Sequence, residues 1–326
     1  MDIDNIDGTE QGLTRADGLW FDDCSLIIQA ETTIFRISRE FLAIHSPIFR
    51  DMLSLPTPRD AERMDGCPLV CLPDSAEDVT VFLKALLYYD FFEPYPAATT
   101  YPILSGVLRM SHKYEVDALR NRALTQLSQF HPTTLVGWEE FAGKRGSCTW
   151  LTHPPSVLIA IVALARQLSI DWILPSAFYL VCEFTPERLI LLESDDVELS
   201  SDDKVWCVTA CRLLETTSVT RILDFLWSPT HINGCEARRA CADARVYARR
   251  AAEAWRDRAA DEAAIMPLDL WTDATGWNGL KVCDVCLSAM KIAHQEAKQA
   301  IWDRLPEMFG LPEWPELEKM KAQAFK

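Results

Sequence analysis

The sequence predicts an α+β N-terminal domain followed by an all-α C-terminal domain. Up to about residue 130, short β-branched runs alternate with helix-spaced segments, and from residue 156 onward the apolar spacing is helical almost throughout. The length of 326 residues suits about two domains.

Residues 1–18 lack apolar periodicity and read as a disordered lead-in, with order expected from Leu19-Trp20-Phe21. The runs 24–29 (CSLIIQ) and 33–37 (TIFRI), joined by polar Ala30-Glu31-Thr32, predict a hairpin. Ser38 suits the N-cap of a short helix carrying Phe41 and Leu42. Ser46-Pro47 opens another, with Pro where its missing N–H costs nothing and Ile48, Phe49, Met52 and Leu53 on one face. Residues 54–68 hold three prolines and a glycine and read as a loop; residues 69–72 (LVCL) read as a third strand. Asp74 and Ser75 then cap a helix with Val79, Phe82, Leu83, Leu86 and Leu87 at helical spacing. A proline-broken aromatic loop at 91–96 precedes helices near 102–113 and 115–130. Residues 131–155, with their Pro-containing breaks and glycines, read as a linker between a domain at 19–130 and a helical domain at 156–326. Helices are expected there at 156–167, 170–183, 186–192, 201–216, 219–227, 236–264 and 284–304, followed by a Trp- and Pro-rich tail whose Trp302, Phe309 and Trp314 fold back onto the domain.

Composition narrows the function classes. The chain is 49% hydrophobic and 25% charged, an ordinary globular profile, with a net charge of −16 that repels phosphate backbones and argues against nucleic acid as a partner. No apolar run reaches membrane-spanning length, and the acidic, polar N-terminus is unlike a secretory or transit leader. A cytoplasmic or nuclear location is therefore expected, without membrane contact. No Gly-rich phosphate loop, nucleophile elbow, zinc-protease helix or EF-hand pattern is present, so no enzyme is expected.

The residues of the first half carry a resemblance. Phe21-Asp22-Asp23-Cys24-Ser25-Leu26-Ile27-Ile28, Phe35-Arg36-Ile37, residues 41–53 (FLAIHSPIFRDML), Leu72-Pro73-Asp74, residues 82–86 (FLKAL) and residues 107–114 (VLRMSHKY) together resemble a BTB/POZ domain. The whole chain is similar to the expanded BTB proteins of mushroom-forming (basidiomycete) fungi, through Ala163-Leu164-Ala165-Arg166, residues 174–179 (LPSAFY) and residues 302–312 (WDRLPEMFGLP). The resemblance implies a protein–protein interaction adaptor. Such domains self-associate, dock onto cullin-type ubiquitin-ligase scaffolds, or recruit transcriptional regulators. Three departures stand out. Ser38 replaces a His common among relatives. Only 18 polar residues precede the hairpin, where strand-swapped relatives have an extra helix and strand. In the loop before the third strand, Asp60 rather than an apolar residue stands two before Glu62. Candidate partner-binding side chains are Phe49, Met52 and Leu55 beside the 54–68 loop, and Phe91, Phe92 and Tyr95 in the aromatic loop; each could instead be core.

Eleven cysteines, an odd number, argue against a closed disulfide framework. Most stand singly in apolar segments. The exception is Cys283-x2-Cys286, which has the spacing of a zinc half-site. Its partner would be Cys235 with Cys241, or His231 with Cys235, closing a structural tetrahedral zinc site. Three readings stay open: structural zinc, buried unpaired thiols, since Cys241 shares a stripe with Ala244, Ala248, Ala251 and Trp255, or a redox-active pair. The zinc reading supports a second function, a zinc-stabilised scaffold in a nuclear or transcriptional regulatory complex. The segment 236–264 also carries seven arginines, read as a solvated face opposite its alanines.

Overall fold

The computed structural model describes residues 12–55, 62–144, 155–184, 199–215, 219–227, 231–259, 266–273 and 276–326. Contacts divide the chain into two compact units, Met1–Ser128 and Gln129–Lys326. The first holds a five-stranded sheet with flanking helices, and the second is built from helices, so the α+β and all-α architecture expected from the sequence is the observed one.

In the first unit, β2 (Leu26–Ala30) and β3 (Thr33–Ile37) form the expected antiparallel hairpin, with Leu26 opposite Ile37 and Ala30 opposite Thr33. Glu31 takes the left-handed position of the two-residue turn, at φ 51°. β5 (Cys67–Leu72) adds to β2 in parallel, and β4 (Arg63–Met64) folds back on β5 through Asp65-Gly66. Both turn residues have positive φ, which a tight hairpin of this hand requires. The sheet order is β1-β3-β2-β5-β4.

One strand overturns a sequence expectation. Residues 14–20, placed largely in the disordered lead-in, form β1 (Thr14–Trp20), parallel to β3. The segment shows no alternation because its register shifts between Arg15 and Trp20, around Gly18 at φ 70°. Its order comes from the free edge of β3, for example Thr14 N–H to Thr32 O at 2.8 Å, and from Arg15 lying over the Trp20 ring at 4.3 Å.

The helices α1 (Arg39–His45), α2 (Pro47–Ser54) and α3 (Ala76–Leu87) begin at Ser38, Ser46 and Ser75. Each hydroxyl accepts from an N–H three residues on, as the sequence predicts for these caps. Ser46 is buried and also donates to Tyr114 O at 2.6 Å, tying α2 to the end of α4 (Tyr101–Lys113). Phe49 stacks on Tyr114 at 4.5 Å, and Arg109 forks onto both oxygens of Asp78 at 2.7 Å, joining α4 to α3. α5 (Asp117–Phe130) buries Leu119, Ala123 and Leu127.

The second unit begins with α6 (Leu135–Lys144), inside what the sequence suggested was a linker. Prolines and glycines obscured a helix face: Leu135, Trp138 and Phe141 recur every third residue and all are buried. α7 (Pro155–Leu168) and α8 (Leu174–Val181) follow; α8 is buried along its whole length. The expected helix at 186–192 lies outside the described residues. Next come α9 (Ser201–Leu213), α10 (Val219–Ile222), α11 (Asp224–Trp227), α12 (Arg238–Ala259), α13 (Asp284–Met308) and α14 (Trp314–Ala324). The core here is aromatic. Trp138 packs on Tyr179 at 5.1 Å and Trp302 at 5.9 Å, Trp302 stacks on Trp314 at 5.2 Å, and Phe178 stacks on Phe309 at 5.1 Å. The tail thus folds back as expected, and Gly310, at φ 64°, leaves room for the Trp206 ring, which a Cβ would approach to 2.6 Å. Among the described residues, no helix is long and apolar enough to cross a membrane.

Candidate metal centre

The sulfurs of Cys235, Cys241, Cys283 and Cys286 all lie within 4.8 Å of one another. Two local structures bring them there. Cys235 follows a turn closed by its own N–H onto Ile232 O at 3.2 Å, with Asn233-Gly234 at the corner and Gly234 at φ 81°. α12 begins three residues later and places Cys241 in its first turn. On the other side, Cys283 is the N-cap of α13 and Cys286 lies in its first turn, so both point from one helix start.

The spacing of the sulfurs suits one central ion. A tetrahedron of metal–sulfur bonds of about 2.3 Å sets its sulfurs about 3.8 Å apart. The Cys283 and Cys235 sulfurs stand 3.9 Å apart, far beyond a disulfide bond, and all four thiols are free. Cys241 and Cys286 are buried; Cys235 and Cys283 are partly covered. The four cysteines could therefore hold a metal ion, with every position of a tetrahedron filled by protein.

The surroundings favour ionised sulfur at one corner. The backbone N–H groups of Cys286 and then Glu236 lie against Cys283 and hold its thiol down to about 6, in the same direction as the positive end of α13. Cys283 N–H donates to Cys241 Sγ at 3.3 Å. That bond lowers the Cys241 thiol, but burial and the neighbouring thiols outweigh it, and the net shift is upward. Burial pushes Cys286 up. Without an ion, four unprotonated sulfurs at this spacing would repel one another; a divalent cation removes that repulsion and displaces the protons.

The structure thus unites Cys235 and Cys241 with the Cys283–Cys286 pair, whereas His231, the alternative ligand, is exposed and lies outside the group. The turn Asn233-Gly234, which sequence reasoning passed over, was readable as a tight-turn dipeptide beside a ligand. The partner-binding candidates divide. Phe49 and Phe92 are each 1% exposed and belong to the core, which corrects the expectation for both: their large rings are worth more in the core than at the surface. Met52 and Phe91 are half-buried. Leu55, at 67%, and Tyr95, at 42%, are exposed; so are Ile44 and Ile48, the second of which the sequence placed on the apolar face with Phe49 and Leu53 but which the helix turns outward. Of the arginines on α12, Arg245 donates to Phe225 O at 3.1 Å and Arg249 pairs with Glu253 at 3.1 Å, so part of the basic face serves internal contacts. No family model, curated protein or solved structure matches the chain.

Proposed function

We propose that the protein is a non-enzymatic interaction adaptor whose helical unit is held together by a structural zinc ion. The observation that carries the reading is the closed set of four cysteines. Thiolates at tetrahedral spacing select zinc or an iron–sulfur cluster over harder ions, and a single ion fits the compact group. With four protein ligands there is no open position for substrate or activated water, which is the arrangement of a structural zinc site. Cys235, Cys241, Cys283 and Cys286 would bind the ion, and zinc would supply folding free energy rather than chemistry.

The adaptor role rests on the BTB/POZ resemblance of the first unit. Its element order supports that reading: a hairpin, two short helices, a parallel strand, a helix and a helix pair. Among the described residues of the first unit, Ile44, Ile48, Leu55, Tyr88, Tyr89 and Tyr95 are large apolar side chains exposed for a protein partner. The docking partner under this reading is a cullin-type scaffold or a second copy of the chain.

Two measurements test the proposal. Metal analysis of the purified full chain should find one zinc per chain, lost in Cys283→Ser; iron with visible absorbance, or no metal, overturns the zinc reading. Titration against the N-terminal region of a cullin should show saturable binding, weakened at least tenfold by Leu55→Asp with an unchanged thermal midpoint. Absence of cullin binding together with a strictly monomeric chain removes both proposed partners.

A further inference from the structure

The four clustered cysteines differ in how open they are to solvent. Cys241 and Cys286 are 3% and 2% exposed, whereas Cys235 and Cys283 are only partly covered. The open pair is also in direct contact: the Cys283 thiol donates to Cys235 Sγ at 3.9 Å. Neither residue is held inside a helix. Cys235 follows the Asn233-Gly234 turn, and Cys283 is the N-cap of α13, where its side chain makes no capping hydrogen bond. A disulfide bond is about 2.05 Å long, so joining these sulfurs asks for a movement of about 2 Å. That movement falls on a turn and a helix start, not on a packed helix interior.

A second group of thiols supplies the contrast. Cys182, Cys207 and Cys211 are at most 1% exposed. The Cys182 thiol donates to Cys207 O at 3.7 Å, and the Cys211 thiol to Cys182 O at 3.8 Å. These sulfurs are protonated and enclosed, which makes them inert to a dissolved oxidant.

We infer that Cys235 and Cys283 are a redox modification site, at which a hydroperoxide exchanges the zinc ion for a disulfide. The inference rests on the zinc reading above. One accessible thiolate attacks a peroxide oxygen, releases hydroxide and becomes a sulfenic acid. The other thiolate attacks that sulfur, forms the S–S bond and releases a second hydroxide. Two electrons pass from the two sulfurs to the peroxide. The ion, left with two of its four ligands, dissociates, and Cys241 and Cys286 take up protons from water. The starts of α12 and α13 stay tied together, now covalently, and a thiol reductant with zinc reverses the exchange.

The test uses reduced full-length protein, whose zinc content is measured before hydrogen peroxide is added. One zinc should be released per disulfide formed. After denaturation and alkylation, peptide mass spectrometry should find Cys235 joined to Cys283, with Cys241, Cys286, Cys182, Cys207 and Cys211 alkylated. Cys235→His keeps four ligands but removes one of the two reacting thiols. It should bind zinc and release it to peroxide at least tenfold more slowly. Reduced protein without zinc overturns the zinc reading, and this inference with it. Zinc present but retained under excess peroxide, a disulfide mapped to Cys283 and Cys286, or oxidation reaching Cys182, Cys207 and Cys211 equally fast overturns the inference and leaves the zinc reading standing. Release from zinc-loaded Cys235→His at the unsubstituted rate overturns it as well.

Discussion

The two units join distant parts of the chain by different means. In the first, β2 receives β5, more than forty residues away, through backbone pairing that runs from Ile27 opposite Leu69 to Ala30 opposite Leu72. In the second, the comparable long-range ties are side chains: four sulfurs at the starts of α12 and α13 that an ion would link, and the rings of Trp138, Trp302 and Trp314 linking α6, α13 and α14. A backbone ladder spreads its stabilisation over many residues, none of which must be one particular type. A sulfur cluster or a tryptophan junction concentrates it. With an ion bound at the cysteines, the second unit is accordingly the one that a single chemical event can undo.

The largest test of this contrast is metal removal. A zinc-selective chelator, or Cys286→Ser, should abolish the cooperative unfolding transition of the helical unit near its metal-loaded temperature, as expected for loss of a structural metal. Calorimetry should show the transition of the sheet-containing unit unmoved; if both shift together, the two units do not differ in this way. Next in size are the aromatic anchors. Trp302→Ala and Phe49→Ala should each cost about 3–5 kcal/mol in denaturant unfolding, one in each unit, because both side chains are almost fully buried.

Acid sharpens the comparison further. Burial holds His131 down to about 3, and burial followed by the charge of Lys298 holds His294 down to about 4; both lie in the helical unit. The unfolded chain, with histidine near 6.5, binds more protons than the native unit below that pH. Stability should therefore fall as pH drops from about 6.5 towards 4, by at most about 1.4 kcal/mol per pH unit for each histidine. It should not depend on these groups above about pH 7. His131→Leu should flatten the acid slope measured by urea unfolding, and an unchanged slope would remove His131 as a cause. The smallest effects belong to the caps. Ser38→Ala and Ser75→Ala should each cost about 1 kcal/mol, and Ser46→Ala more, since its hydroxyl serves Tyr114 as well as the helix start.

Local patterns in the sequence translated well into structure. The β2–β3 hairpin and the serine caps at 38, 46 and 75 each depend on a few adjacent residues, and each stands where the spacing placed it. What the sequence concealed is non-local. β1 is a strand only because β3 presents an edge, and α6 hid behind prolines and glycines that lie around and within it. The cysteine cluster was half visible: the C-x-x-C pair announced itself, but the choice of Cys241 over His231 required α12 to be placed beside α13.

The sulfur cluster also changes what happens when the chain is cut. Cys241 and Cys283 are 42 residues apart, so an ion held by all four cysteines makes the segment between them a closed ring in the topological sense. A protease that cleaves once within that ring would produce two pieces that denaturing gels separate but native chromatography does not. The pieces would stay joined through the ion and through the packing of Trp138 on Trp302, and a chelator would remove the first of these links. Integrity of the polypeptide and integrity of the particle are then separate properties, and metal supply contributes to the second.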